Sequence, residues 1–336
     1  MPLSRDGPGL LLRDIRDGDP EVAAVAGVLA EVSPDIVLLA GVDHDLENVT
    51  AKALRDALAE LGADYPHLLA PETNRGRPTG LDLDGDGRFG EPEDNHGFAD
   101  FTGQNGLLLL SRYPIRAEEI TVYTDLLWRD LPDAALPFAE GAPFPSQAVH
   151  DALRLSTTAH WSVPVEIGTA EVEVMAWYAT PPVFDGPENF NGLRNAAEAT
   201  VWLDILGGAF GPAPAAPFVL LGAANLDPFD GDGRGAAMQA LLGDPRLQDP
   251  GQMSAGGQAA EAEGHLGPDA MDTVDWPSVG RLRVDYALPS AGLEIADAGV
   301  FWPAPVSDAA ELLGPDGRAA GSHRLVWVDL VIESGR

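Results

Sequence analysis

The chain has 336 residues, 45% of them apolar, which is enough for a large buried core and makes a globular protein the default. Asp and Glu number 53 against 20 Lys and Arg, and the formal charge of −33 disfavours broad nucleic-acid binding without metal ions, because it repels phosphate backbones. The absence of cysteine excludes thiol chemistry and disulfides, and no apolar run approaches the roughly 18 residues of a membrane span. Lys52 is the only lysine, a skew that base composition explains better than function does.

The N-terminal stretch MPLSRDGPGLLLRDI lacks the charged and apolar regions of a signal peptide. Asp19-Pro20-Glu21 is a helix start, with a capping side chain, a proline in the first turn and an acid facing the dipole. Val22, Val25, Leu29 and Val32 then recur three or four apart, one apolar stripe. Residues 35–40, DIVLLA, read as a buried strand that exits through Gly41, Asp43 and Asp45. A second amphipathic helix is expected over 49–61.

The acidic loop LDLDGDGRFGEPED follows. Asp82, Asp84, Asp86, Gly87 and Glu93 fit the calcium-loop pattern D-x-D-x-D-G-x5-E. Hard Ca²⁺ needs several oxygens at about 2.4 Å, and the glycine permits the sharp turn. The flanks carry prolines and do not read as helices, so Asp82, Asp84, Asp86 and Glu93 are expected to hold a structural Ca²⁺ outside a full EF-hand. The competing reading is a solvated acidic turn.

Residues 106–110 are the next strand. A Pro-rich excursion covers 131–145, and 153–158 with 163–167 are expected to pair as strands, His160 at their junction being a packed imidazole. The polar–apolar alternation of 171–177 marks a half-buried strand, and a helix is expected over 192–206. The stretch PFVLLGAANLD, residues 217–227, reads as a buried strand whose tip carries two alanines where an active-site strand would present polar groups. A helix over 234–242, a loose Gly/Ala-rich loop over 251–267 and strands at 281–288 and 324–332 complete the reading. No repeat or linker interrupts it, so 1–336 is expected to be a single domain with the acidic loop at 82–93 inserted.

Taken together, DIVLLAGVDHD, GLLLLSRYPI, ATPPVFDGPENFNGLRN, FVLLGAANLDP, RVDYALPSAGL and GSHRLVWVDL resemble, in order from about residue 9, the motifs of the endonuclease/exonuclease/phosphatase superfamily. The resemblance implies an α/β fold, a four-layer α/β sandwich of two mixed sheets flanked by helices, and Mg²⁺- or Mn²⁺-dependent phosphoester hydrolysis. Such chemistry needs carboxylates for the metal, groups that bind phosphoryl oxygens, and a His–Asp pair that activates water. The metal-binding glutamate falls on Gly41, the phosphate-binding histidine on Tyr178, one aspartate on Ala223 and another on Ser322. His323, Asp285 and Asn225 keep their family identities, and Asn191, Arg194 and Tyr178 fall on substrate-binding positions.

Two readings compete. In one, the site is eroded and the protein is non-catalytic or very weakly active. In the other, a divergent Mg/Mn-dependent phosphodiesterase or phosphatase works through His323, Asp285 and Asn225, with a displaced metal sought among Asp43, Asp45 and Asp185. The family's opening strand has no counterpart, so an unpaired edge or a gap in the core is expected. That also raises the expectation of a start upstream of Met1, with a leader, which leaves localisation open. No substrate or partner can be named from these motifs.

Overall fold

Short-range signals set the first helices. In the computed structural model, which describes residues 3–214, 217–260 and 263–332, α1 (Leu10–Asp17) stops at Gly18 and α2 (Pro20–Val32) starts on Asp19. The Asp19 carboxylate accepts the Glu21 and Val22 amides, and Pro20 sits where its missing N–H would have had no partner. β1 (Ile36–Val42) follows, then α3 (Val49–Glu60), whose unpaired amides at Val49 and Thr50 donate to Asp45. β2 (His67–Leu69) and β3 (Gly106–Ser111) complete an antiparallel sheet of order β1-β3-β2.

The middle of the chain supplies β4 (Thr121–Val122), the small hairpin β5 (Phe138–Ala139) and β6 (Ala142–Pro143), α4 (Gln147–Ala152), and the long hairpin β7 (Ala159–Ile167) and β8 (Ala170–Tyr178). α5 (Phe190–Leu206) crosses over to β9 (Phe218–Ala223), which therefore lies parallel to β8. After α6 (Gly235–Leu242) and α7 (Ala255–Ala259) come β10 (Val274–Trp276), β11 (Gly280–Leu282), β12 (Asp285–Pro289), β13 (Glu294–Phe301) and β14 (Leu325–Val331). The largest sheet has the order β12-β9-β8-β7-β4. Among the described residues no helix is long and apolar enough to cross a membrane.

Strand alternation sorts the side chains into layers. Leu107 and Leu109 of β3 meet Trp161, Val163, Val174 and Ala176 of β7 and β8 between the sheets. Leu108 and Leu110, on the opposite face, meet Val25 and Leu29 of α2 and Leu54 and Leu58 of α3. Met175 and Trp177 of β8 meet Trp202 and Ile205 of α5 and Met238 of α6. The layers run helix, sheet, sheet, helix, the expected four-layer sandwich.

The second sheet is not continuous. Among the described strands, β1 pairs with β3 alone and β14 with β13 alone, and a cleft of about 880 Å³ lies between β1 and β14. A gap in the core was the expectation, and the cleft lies between two strands that are not paired with each other. The Leu3 amide donates to the Gly41 carbonyl at 2.8 Å, at the end of β1.

Three expectations are corrected. Residues 153–158 are not a strand, because the carbonyls of Arg154, Leu155 and Ser156 are taken by the Arg194 and Asn74 side chains. β7 instead runs straight through His160 and Trp161. The expected strand at 281–288 divides into β11 and β12, and β13 was not foreseen. The described part of the 251–267 loop contains α7, capped by Ser254 on the Gly257 amide.

His160 is fully buried between the rings of Trp177 and Trp202, its Nε2 2.9 Å from the Glu198 carbonyl and its Nδ1 2.7 Å from Ser156 Oγ. A ring nitrogen facing a carbonyl must donate, and burial keeps the ring neutral, so Nδ1 accepts from the Ser156 hydroxyl. Burial pushes its pKa down to about 4, and that of His96 down to about 3. Unfolded imidazoles titrate near about 6.5, so between about pH 6.5 and 4 the unfolded chain binds the extra protons. Stability is therefore fully present above that window and is lost as pH falls through it. His160→Gln is expected to flatten the slope by about 0.9 kcal/mol per pH unit between about pH 5 and 7, read from urea unfolding. An unchanged slope would mean that His160 does not titrate this way.

The cleft makes a second prediction. Leu39 is 4% exposed beneath the helices, whereas Leu38 points the other way and is only half-buried. Leu39→Ala should cost about 3 kcal/mol and Leu38→Ala about half that or less. Equal losses in urea midpoints would mean that something fills the cleft in solution.

Candidate functional site

Strand register brings the key positions together. Tyr178 at the end of β8, Ala223 at the end of β9 and Asp285 at the start of β12 are direct cross-strand neighbours. His323 enters from the turn before β14, fixed by a bridge to Val274 and by the Arg324 amide on the Thr273 carbonyl at 2.7 Å. Its Nδ1 lies 2.8 Å from Asp285 Oδ2. The Thr273 hydroxyl receives the Val284 and Asp285 amides at 2.9 and 3.0 Å, and the Trp276 ring stands edge-on to the imidazole at 5.4 Å. A carboxylate at Nδ1 holds the proton there and leaves Nε2 as the basic nitrogen.

Protein groups surround the other strand-end positions. Asn225, at φ 50°, donates from Nδ2 to the Ala179 carbonyl at 2.8 Å. The Tyr178 hydroxyl accepts from Asn105 Nδ2 at 3.3 Å, and the Arg75 guanidinium lies over its ring at 5.1 Å. Gly41 forms a bulge in β1 at φ 86°, a backbone in which a glutamate would be strained. Ala223 is buried, and the Ser322 carbonyl accepts the Asp275 amide at 3.0 Å.

The three nearby aspartates do not gather at the strand ends. Asp43 is buried and accepts from Ser4 Oγ at 2.6 Å, the Arg5 amide at 3.0 Å and the Asn105 amide at 2.9 Å. Asp45 caps α3, and Asp185 accepts the Gly192 amide at 3.0 Å. Of the named strand-end positions only Asp285 is a carboxylate, and it is paired with His323. Among the described residues, the groups of three acids or histidines close enough to share an ion lie elsewhere, at Asp82, Asp84 and Asp86 and at His265, Asp269 and Asp272.

Arg194 is a correction. It is 3% exposed and donates to the carbonyls of Leu155, His96 and Arg154 at 2.9, 2.6 and 2.6 Å, so it faces backbone and cannot meet a substrate. Asn191 donates to the carbonyls of Val183 and Phe184 at 2.9 and 3.2 Å, bracing the loop after β8.

In the acidic loop, Asp82, Asp84 and Asp86 converge, each accepting backbone amides. Glu93 does not join them. A short 3-10 turn over Pro92–Asp94 leaves Glu93 exposed and turns Asp94 inward, where it accepts the Leu83 and Glu91 amides at 2.9 and 3.3 Å. The twelve-residue calcium loop is therefore not closed by its final acid.

Sequence reasoning passed over Asn105, Arg75, Thr273 and Trp276. Only Asn105 carried a local signal, an Asn-Gly pair at a strand start, and it does adopt φ 56°. The others reach the site through long-range packing.

Two solved structures share the fold. One is an endonuclease/exonuclease/phosphatase family protein from Leptotrichia buccalis, 16% identical over 93% of each chain with a TM-score of 0.53. The other, from Bacteroides thetaiotaomicron, is 12% identical over 99% of this chain and 96% of that one, with a TM-score of 0.54. At such identities the likeness is one of fold. No curated protein matches the sequence. Residues 9–308 match the Endonuclease/Exonuclease/phosphatase family, and the chain belongs to that family.

Proposed function

We propose that this protein keeps the family's fold without its metal-dependent phosphoester hydrolysis, and serves as a binding or structural protein. The observation that carries the reading is the strand-end donor set: Gly41, Ala223 and Ser322 supply no carboxylate, and Asp285 is paired with His323. A dication at such a place would lack the anionic oxygens that bind it. Tyr178 can donate a hydrogen bond to a phosphoryl oxygen but carries no positive charge to offset one.

A second reading, a divergent phosphodiesterase or phosphatase, draws on the intact dyad. With Asp285 at Nδ1, His323 is oriented as a general base toward water, and Asn225 lies on the neighbouring strand end. Hydrolysis of phosphodiester and phosphomonoester nitrophenyl substrates with Mg²⁺, Mn²⁺ or Ca²⁺ separates the two. Wild type and His323→Ala, both shown folded by circular dichroism, are expected to be equally inactive. Metal-dependent turnover that disappears in His323→Ala would overturn the first reading in favour of the second.

The same reading gives Asp82, Asp84 and Asp86 a weak structural Ca²⁺, held without Glu93. Burial and the neighbouring acids push the Asp84 carboxyl up, a repulsion that a cation relieves. Affinity falls with the number of charged ligands, and three carboxylates without the closing acid make a weak site. At about ten times the dissociation constant the gain is about 1.4 kcal/mol, so excess Ca²⁺ should raise the melting temperature of wild type and not of Asp84→Asn. Equal melting with and without Ca²⁺ would leave the loop an acidic turn.

A further inference from the structure

We propose that His265, Asp269 and Asp272 form a binding site for a divalent transition metal of the zinc type, separate from the strand-end residues. His265 Nδ1 lies 3.1 Å from Asp269 Oδ1 and 3.6 Å from Asp272 Oδ2, and one ligand atom from each residue falls within 4.8 Å of the other two. Ligands around an ion at about 2.1 Å stand about 3.0–3.5 Å apart, so the 3.1 Å separation fits and the 3.6 Å one is slightly long.

A second observation is independent of the clustering. Asp272 is 3% exposed, yet its Oδ2 makes no hydrogen bond, and neither do His265 Nδ1 or Arg281 Nε, which lies 3.7 Å from that oxygen. An imidazolium paired with two carboxylates would align its N–H with one of them. Here nitrogen and oxygen are close without hydrogen-bond alignment, as co-ligands of one ion are. A cavity of about 10 Å³ lies against Asp272, bordered also by Asp227, Pro268 and Arg283, with room for one small species.

The donor set decides the class of ion. One imidazole nitrogen with two carboxylate oxygens suits zinc and its neighbours, whereas Ca²⁺ takes about six to eight oxygens. His265 is only partly buried, which leaves a side open for water ligands. The ion would pin residues 265–272 beside β11, immediately before Thr273, whose hydroxyl holds the Val284 and Asp285 amides. It would act as a structural staple beneath the dyad.

The test uses the tag-free full chain, stripped with a chelator and titrated with ZnCl₂ by calorimetry, with thermal melts alongside. One saturable site and a higher melting temperature are expected. His265→Gln, at a partly exposed position, should melt like wild type without zinc and bind zinc at least about tenfold more weakly. Co²⁺ in place of zinc should give a visible d–d band that is lost in His265→Gln. The double variant Asp84→Asn/Asp86→Asn should leave the zinc isotherm unchanged. The proposal is overturned by the absence of saturable binding to folded protein, by His265→Gln binding as tightly as wild type, or by loss of binding in the acidic-loop variant instead.

Discussion

The strand-end frame hangs from two opposite charges one turn apart on α5. Arg194 and Glu198 are 3% and 0% exposed, and each is satisfied mainly by backbone. The guanidinium gathers the carbonyls of His96, Arg154 and Leu155, while the carboxylate gathers the Thr157 and Thr180 amides. Buried ions without such partners would cost several kcal/mol each, so the segments they hold are not free to drift. His160 adds a bond to the Glu198 carbonyl. The loop after β8 and the turn before β7 are therefore positioned by α5, whatever occupies the catalytic positions. The groups that hold the frame are other than Gly41 and Ala223, so scaffold and strand-end positions are separable in this chain.

Most of the layer structure was legible because it rests on apolar periodicity. β1, β3, β8, β9 and the helices α2, α3 and α5 all stand within a few residues of their expected places. β13 was hidden because Glu294, Asp297 and three small residues, Ala296, Ala298 and Gly299, dilute its apolar signal. The His323–Asp285 pairing was legible in the sequence and the residues that support it were not. A polar side chain that serves the backbone looks, in sequence, like one that serves a ligand. Arg194 matched a family pattern and faces carbonyls. Glu93 matched a metal pattern and faces solvent, because spacing alone does not report the 3-10 turn that exchanges it for Asp94.

The acidity of the chain has a related explanation. Asp19 and Asp45 cap helices, Asp43 gathers the N-terminal segment, and Asp227 and Asp230 each accept backbone amides in the turns after β9. Carboxylates are used throughout as acceptors for unpaired N–H groups, a role that needs their charge only locally. A count of 53 acidic residues therefore coexists with strand ends that offer a single paired carboxylate.

That surplus charge acts on the edges of β1 and β14 that no described strand pairs. Unpaired strand edges are templates for pairing with other copies, and β14 places Asp329 among its exposed positions. A net charge of −33 keeps copies apart over the screening length of the solvent, about 10 Å at 0.1 M salt and about 3 Å at 1 M. Dilute buffer thus guards the edges by long-range repulsion, and concentrated salt removes that guard while strengthening apolar association. Colloidal solubility in this molecule is a property of its surroundings as much as of its surface.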